Sequence, residues 1–213
     1  VCLLALAMGI PTAWLVTVYS FPARRFFAWG LVLPLALPCY VTAYTYAGIF
    51  DYRGPIRTLL YMVGMDSWAF GPDLDIVNIY GLIAVMGFAL YPYVYLTARA
   101  SFAQHSNAVI EVAQSLGRTR SGAFWRVAMP LSRPALVGGA SLVGLETLNE
   151  YGAVKYYGVD TFTTGIFSAW YSLGDSDAAT RLAACALIGV FVVLSFEQRD
   201  NDDPKQPTKT LII

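Results

Sequence analysis

Glu111-Val112-Ala113-Gln114-Ser115-Leu116-Gly117, followed by Val127-Ala128-Met129-Pro130, belongs to the one long basic, helix-forming stretch lying between apolar runs. Its polarity makes the rest of the chain legible by contrast. The 213 residues are 57% hydrophobic and only 13% charged, with a mean hydropathy of +0.54. A soluble domain spreads charge over its surface, whereas here the charges bunch between apolar segments. The reading is an all-α polytopic membrane protein. Residues 1–197 form its membrane domain, 99–134 its main polar loop, and 198–213 a charged, proline-containing tail expected to be disordered.

Crossing roughly 30 Å of hydrocarbon takes about 20 apolar residues, and five such segments are expected, at 1–18, 26–50, 76–98, 135–152 and 178–196. Pro34, Pro38 and Pro92 fall inside the second and third and are expected to kink them. Gly138, Gly139 and Gly144, with Ala140 and Ser141, give the fourth a small-residue face suited to close helix packing. Val1 already stands in an apolar run with no charged region before it. The expectation is a missing preceding segment rather than a signal peptide.

Orientation follows from the distribution of basic residues. Arg24, Arg25, Arg99, Arg118, Arg120, Arg126, Arg133, Arg199, Lys205 and Lys209 gather on one side of the expected spans. Arg53, Arg57, Lys155 and Arg181 fall on the other, with Asp51, Asp66, Asp73, Asp75, Asp160, Asp175 and Asp177. Loop 99–134 and the C-terminus are therefore expected on the cytoplasmic side. Zero net charge gives no reason to expect a nucleic-acid partner.

Within the loop, Val109, Val112, Ala113 and Leu116 recur on one helical face. Ser106 is the expected N-cap and Gly117 the left-handed stop. A second short helix is expected from a Ser121 cap through Phe124, Trp125 and Val127, ending before Pro130. An ordinary interfacial amphipathic loop is the plainer alternative. On the other side, residues 51–75 carry the turn signals Arg53-Gly54-Pro55 and Phe70-Gly71-Pro72. Residues 153–177 are rich in Tyr and Trp, as interfacial belts are.

Glu146 and Glu150 are the acids expected in the outer half of a span, one helical turn apart with Asn149 between them. A carboxylate at the bilayer centre costs roughly 3 kcal/mol, so these residues should face water or other helices. Carboxylates and tyrosine phenols suit a hard cation such as Fe(III). The alternatives are interhelical hydrogen bonding, a closed outer gate, or an interfacial place for Glu150. His105 reads as a solvated loop residue. The three cysteines, Cys2, Cys39 and Cys185, lie singly in apolar runs with no disulfide or metal spacing. No metal ligand set, catalytic group or cofactor is assigned.

The loop resembles the cytoplasmic signature of binding-protein-dependent ABC import permeases. Glu111, Ala113, Gly117, Val127 and Pro130 stand in its register, Val112 replaces its middle Ala, and Met129 its Leu. The stretches Phe21-Pro22-Ala23-Arg24-Arg25, Leu33-Pro34-Leu35-Ala36-Leu37-Pro38, Tyr91-Pro92-Tyr93-Val94-Tyr95 and Glu146-Thr147-Leu148-Asn149-Glu150-Tyr151-Gly152, and the run from Gly158 to Gly165, are similar to the ferric-iron branch. The likeness covers roughly 5–196 and is to the N-terminal half of a two-half permease. It implies a type I importer core whose loop docks on a separate ATPase subunit. It also implies a periplasmic binding protein, a second permease half or chain, and surrounding lipid as partners. No Gly-x-x-x-x-Gly-Lys-Ser/Thr stretch is present, so ATP hydrolysis is expected elsewhere. The same role for thiamine, a polyamine, sulfate or molybdate is the runner-up. A truncated non-transporting membrane protein or a small membrane enzyme is the reading from another class.

Overall fold

A residue that precedes proline is driven out of the helical region, and this decides how the second apolar run folds. In the computed structural model of the chain, which describes residues 1–51, 54–62, 76–115 and 119–201, Leu37 stands before Pro38 with φ −106° and ψ 131°. Helix α2 (Arg24–Gly30) and a 3₁₀ turn (Leu33–Ala36) lead into that break, and α3 (Cys39–Phe50) leaves it at 98°. The continuous span expected over 26–50 is therefore a sharply broken one. Pro92, by contrast, lies inside a helix that continues past it.

The other expected spans are helices with shifted ends. Helix α1 (Cys2–Val18) pairs with α5 (Ile79–Ser115), and α8 (Arg133–Asn149) and α11 (Ser176–Asn201) complete the membrane set. Residues 79–104 and 176–195 are long and apolar enough to cross a bilayer, and the bent α2–α3 pair makes a third crossing when taken as one span. At 1.5 Å per residue, the 17 residues of α8 reach only about 25 Å, short of the roughly 30 Å of a full crossing. The described residues are helices and turns with no strand, so the all-α membrane class stands.

Side-chain contacts fix the helix directions. Leu4 meets Gly87, Gly9 meets Val94, and Trp14 meets Phe102, so α1 runs parallel to α5. Ser132 meets Ser101 and Gly139 meets Thr97, so α8 runs antiparallel to both. Val94 is the crossing point. A Cβ on Gly9 would come 2.8 Å from its side chain, and one on Gly139 would come 3.1 Å from its Cα. The small face expected on α8 is thus a helix-packing face, with Gly139 and Ser141 buried.

The basic end of the bundle is tied by polar contacts. Arg24 donates from Nε to the Val16 carbonyl at 2.5 Å and from its terminal nitrogen to the Thr17 carbonyl at 2.8 Å. It thereby satisfies the last carbonyls of α1 and sets a cation at the negative end of that helix. The intervening turn places Ala23 at φ 62°, left-handed for a residue with a Cβ. Tyr95 donates to the Ala28 carbonyl at 3.2 Å, and the Arg99 guanidinium lies 5.9 Å from the Tyr95 ring centre.

At the opposite end, α4 (Pro55–Met62) occupies part of the expected loop, while Arg53 and Phe70-Gly71-Pro72 lie outside the described residues. The aromatic segment 153–177 folds as α9 (Gly152–Tyr156), α10 (Phe162–Phe167) and a π turn (Ser168–Ser172). Tyr151, Phe167 and Tyr171 stack there at 4.2 and 5.8 Å. Helix α11 carries residues 198–201, placed at sequence level in the tail, and 202–213 lie outside the described residues.

Candidate functional site

The polar loop does not begin with a fresh helix. Between Tyr93 and Leu116 the sequence holds neither glycine nor proline, so α5 continues without interruption to Ser115. Ser106 is therefore inside a helix rather than its cap. Glu111 and Ala113 lie on this same helix, on the stretch whose side chains are outside the described residues, as is Gly117 itself. The corner expected at Gly117 has no structural account here.

Beyond it, Thr119 rather than Ser121 starts the second helix, its Oγ1 accepting a hydrogen bond from the Gly122 amide at 3.2 Å. Helix α6 (Arg120–Ala123), a π turn (Phe124–Ala128) and α7 (Met129–Leu131) follow without a gap. The helix thus passes Pro130 instead of ending before it. Pro130 stands second in α7, directly after the π turn.

This segment has two faces. Ala123 and Ala128 are buried, and the Phe124 ring lies 4.8 Å from Trp14 and 6.2 Å from Phe102. Trp125, Arg126, Val127, Pro130 and Leu131 are exposed, Trp125 at 65%. An exposed tryptophan beside apolar neighbours and a cation is the composition of a protein-contact surface. At its base, Ser101 and Ser132 share a buried hydrogen bond of 2.9 Å. Neither the ring cluster nor the serine pair was foreseen, although Phe124 had been placed on a helix. The contacts join residues too distant in sequence for periodicity to pair.

Glu146, Asn149 and Glu150 separate by role. Buried positions of α8 are Leu136, Gly139, Ser141 and Val143, while Glu146, one turn beyond Val143, and Asn149 are exposed near the helix end. Glu150 turns to structure: its Oε1 accepts from the Ala153 amide at 2.9 Å at the start of α9, and its carbonyl accepts from Thr163 at 2.9 Å. Glu150 and Glu146 both lie within electrostatic reach of Cys39 at the head of α3, and Glu146 of Tyr93. Among the described residues no group of three His, Cys, Asp or Glu side chains could hold a metal ion.

A helical bundle with long apolar helices, a broken span and an exposed helical segment anchored by its rings has the form of a polytopic membrane protein. Residues 5–198 match the binding-protein-dependent transport system inner membrane component, and the chain belongs to that family of transport permeases. It is 26% identical to the Fe(3+)-transport system permease protein FbpB 2 of Haemophilus influenzae, over 90% of this chain and 33% of that protein. It is 32% identical to the sulfate transport system permease protein CysT of Escherichia coli, over 70% of this chain and 50% of that one. A probable molybdenum ABC transporter permease protein of Haloferax volcanii is 27% identical, over 89% of this chain and 66% of its own length. The chain spans a third to two thirds of these relatives.

Proposed function

We propose that the chain is a transmembrane permease part of an ATP-driven importer in the bacterial inner membrane. It works with ATPase subunits on the basic side, a substrate-binding protein on the other, and a second permease half or chain. The observation that carries this reading is the segment 120–131, exposed through Trp125 and held to the membrane helices through Phe124. A docking element must present one face to a partner and be anchored by the other. Glu111, Ala113, Gly117, Val127 and Pro130 supply the coupling register. By the positive-inside asymmetry this end faces the cytoplasm. The family membership supports transport rather than an enzymatic role.

Ferric iron is the favoured cargo. The outward carboxylate of Glu146, with Asn149 and the nearby Tyr93 phenol, attracts a hard cation and repels an oxyanion. Glu150 contributes less, since one oxygen is held by a backbone amide. Sulfate or molybdate remains the second reading, on the strength of the 32% identity to a sulfate permease. Reconstituted complex given radiolabelled ferric citrate, sulfate or molybdate, each with ATP inside the vesicles, decides the cargo. ATP-driven uptake of iron alone is expected. Uptake of an oxyanion alone retires the iron reading, and failure of ATPase subunits to co-purify with the chain retires the permease reading. Gly117→Val, which cannot form a left-handed corner cheaply, should weaken that co-purification while leaving insertion intact.

A further inference from the structure

We propose that Phe124 and Trp14 form a mechanical joint that passes movement of the 120–131 segment to helix α1. This rests on the reading of that segment as the ATPase-docking element. The chain of contacts is continuous from surface to core. The exposed Trp125 ring stands edge-on to Phe124 at 5.0 Å, Phe124 lies 4.8 Å from Trp14, and Trp14 meets Phe102 edge-on at 5.4 Å. Trp14 and Phe102 are both buried. Adjacent residues of the π turn therefore serve opposite faces, Trp125 outward and Phe124 inward.

Packed rings transmit displacement because a close-packed interior has little free volume to absorb it. The base of the segment is held as well, by the buried bond between Ser101 on α5 and Ser132 at the head of α8. A push at Trp125 then pivots the segment about that base instead of sliding it along the bundle. The element that receives the push is α1, which is distant from the segment in sequence and meets it through the Trp14–Phe124 contact, beside the shared packing on α5 at Phe102. π turns inside helices recur at functional positions, and this one opens on the joint residue itself. Simple core packing predicts a different outcome from a joint: lower yield of complex, with normal movement in what assembles.

The test uses the complex of this chain with its ATPase subunits in lipid nanodiscs, with Cys2, Cys39 and Cys185 replaced by serine. Spin labels are placed singly at Ala7 on α1 or Leu142 on α8, both exposed. Spectra are compared without nucleotide and after trapping with ATP and vanadate. In the parent both labels are expected to respond. In Phe124→Leu the response at residue 7 is expected to be lost while that at 142 persists, and Phe124→Tyr, which keeps the ring, should restore it. If Phe124→Leu does not assemble, Trp14→Phe is read in the same way, its smaller ring shortening the reach. An undiminished response at residue 7 in these variants overturns the joint. A parent complex that binds ATPase but shows no response at residue 7 also overturns it, whereas absence of ATPase binding removes the docking reading and the joint together.

Discussion

The Ser101 hydroxyl donates a 2.9 Å hydrogen bond to the Ser132 hydroxyl, closing a loop of 31 residues at its base. Both side chains are buried, Ser132 almost fully. A buried hydroxyl pair fastens two helices because parting them gives up a hydrogen bond away from water. It fixes where α5 and α8 stand relative to the exposed segment between them.

Ser132→Ala is expected to lower stability by about 0.5–1.5 kcal/mol, because it breaks the buried hydrogen bond to Ser101. Thermal unfolding of the single variants and of the double variant Ser101→Ala, Ser132→Ala in detergent measures the coupling, and the double loss should be smaller than the sum of the two single losses. Additive losses would show that the pair is not a coupled fastening.

Gly139→Val is expected to cost about 1–3 kcal/mol, since overpacking forces α8 away from α5. A Cβ at this position already crowds Thr97 Oγ1 and the Val94 Cα. Gly144→Ala should be tolerated, its nearest neighbour being Cys2 Sγ at 3.8 Å. The yield of monodisperse protein and its unfolding temperature separate the two.

Ala23→Gly is expected to stabilise the α1–α2 turn by up to about 1 kcal/mol, because a Cβ at φ 62° is strained and glycine is not. The gain should appear as a raised unfolding midpoint with unchanged ATPase association. A lowered midpoint would mean that the unfolded chain's extra freedom outweighs the relieved strain.

Glu146→Gln is expected to slow iron uptake per assembled complex while leaving the amount of complex unchanged, because the side chain is exposed and has no packing role. Glu150→Ala should do the reverse, costing about 0.5–2 kcal/mol through loss of its bond to the Ala153 amide. Uptake normalised to purified complex distinguishes them. Unchanged normalised uptake in Glu146→Gln retires the substrate-path role.

Trp125→Cys and Trp170→Cys, in the background lacking native cysteines, are expected to label from opposite sides of the membrane. Both positions are exposed, on the basic and the acidic side of the expected topology respectively. Labelling of residue 125 by an impermeant reagent in intact cells would reverse the orientation and remove the docking argument.

Composition and hydropathy made the membrane class and the helical segments legible, because burial in lipid demands long apolar runs whatever their neighbours. The register Glu111, Ala113, Gly117, Val127 and Pro130 was legible for a local reason, being a spacing along one stretch of chain. Helix ends were read less well. Ser106 has the residue type of a cap, but capping preference alone does not stop a helix with no glycine or proline nearby to break it. Pro38 signals a kink, while its 98° size is not written in any local pattern.

What the sequence determined by itself was therefore whatever a short window of residues fixes: apolar length, charge asymmetry, proline breaks and motif spacing. Only the tertiary structure decided that Trp14 meets Phe124, that Ser101 meets Ser132, and that Glu150 holds a backbone amide while Glu146 faces outward. Those outcomes turn on which helix faces come together across many residues. Periodicity states that a face is apolar or small, but the choice among such faces is made by how ridges, glycines and rings interlock in three dimensions.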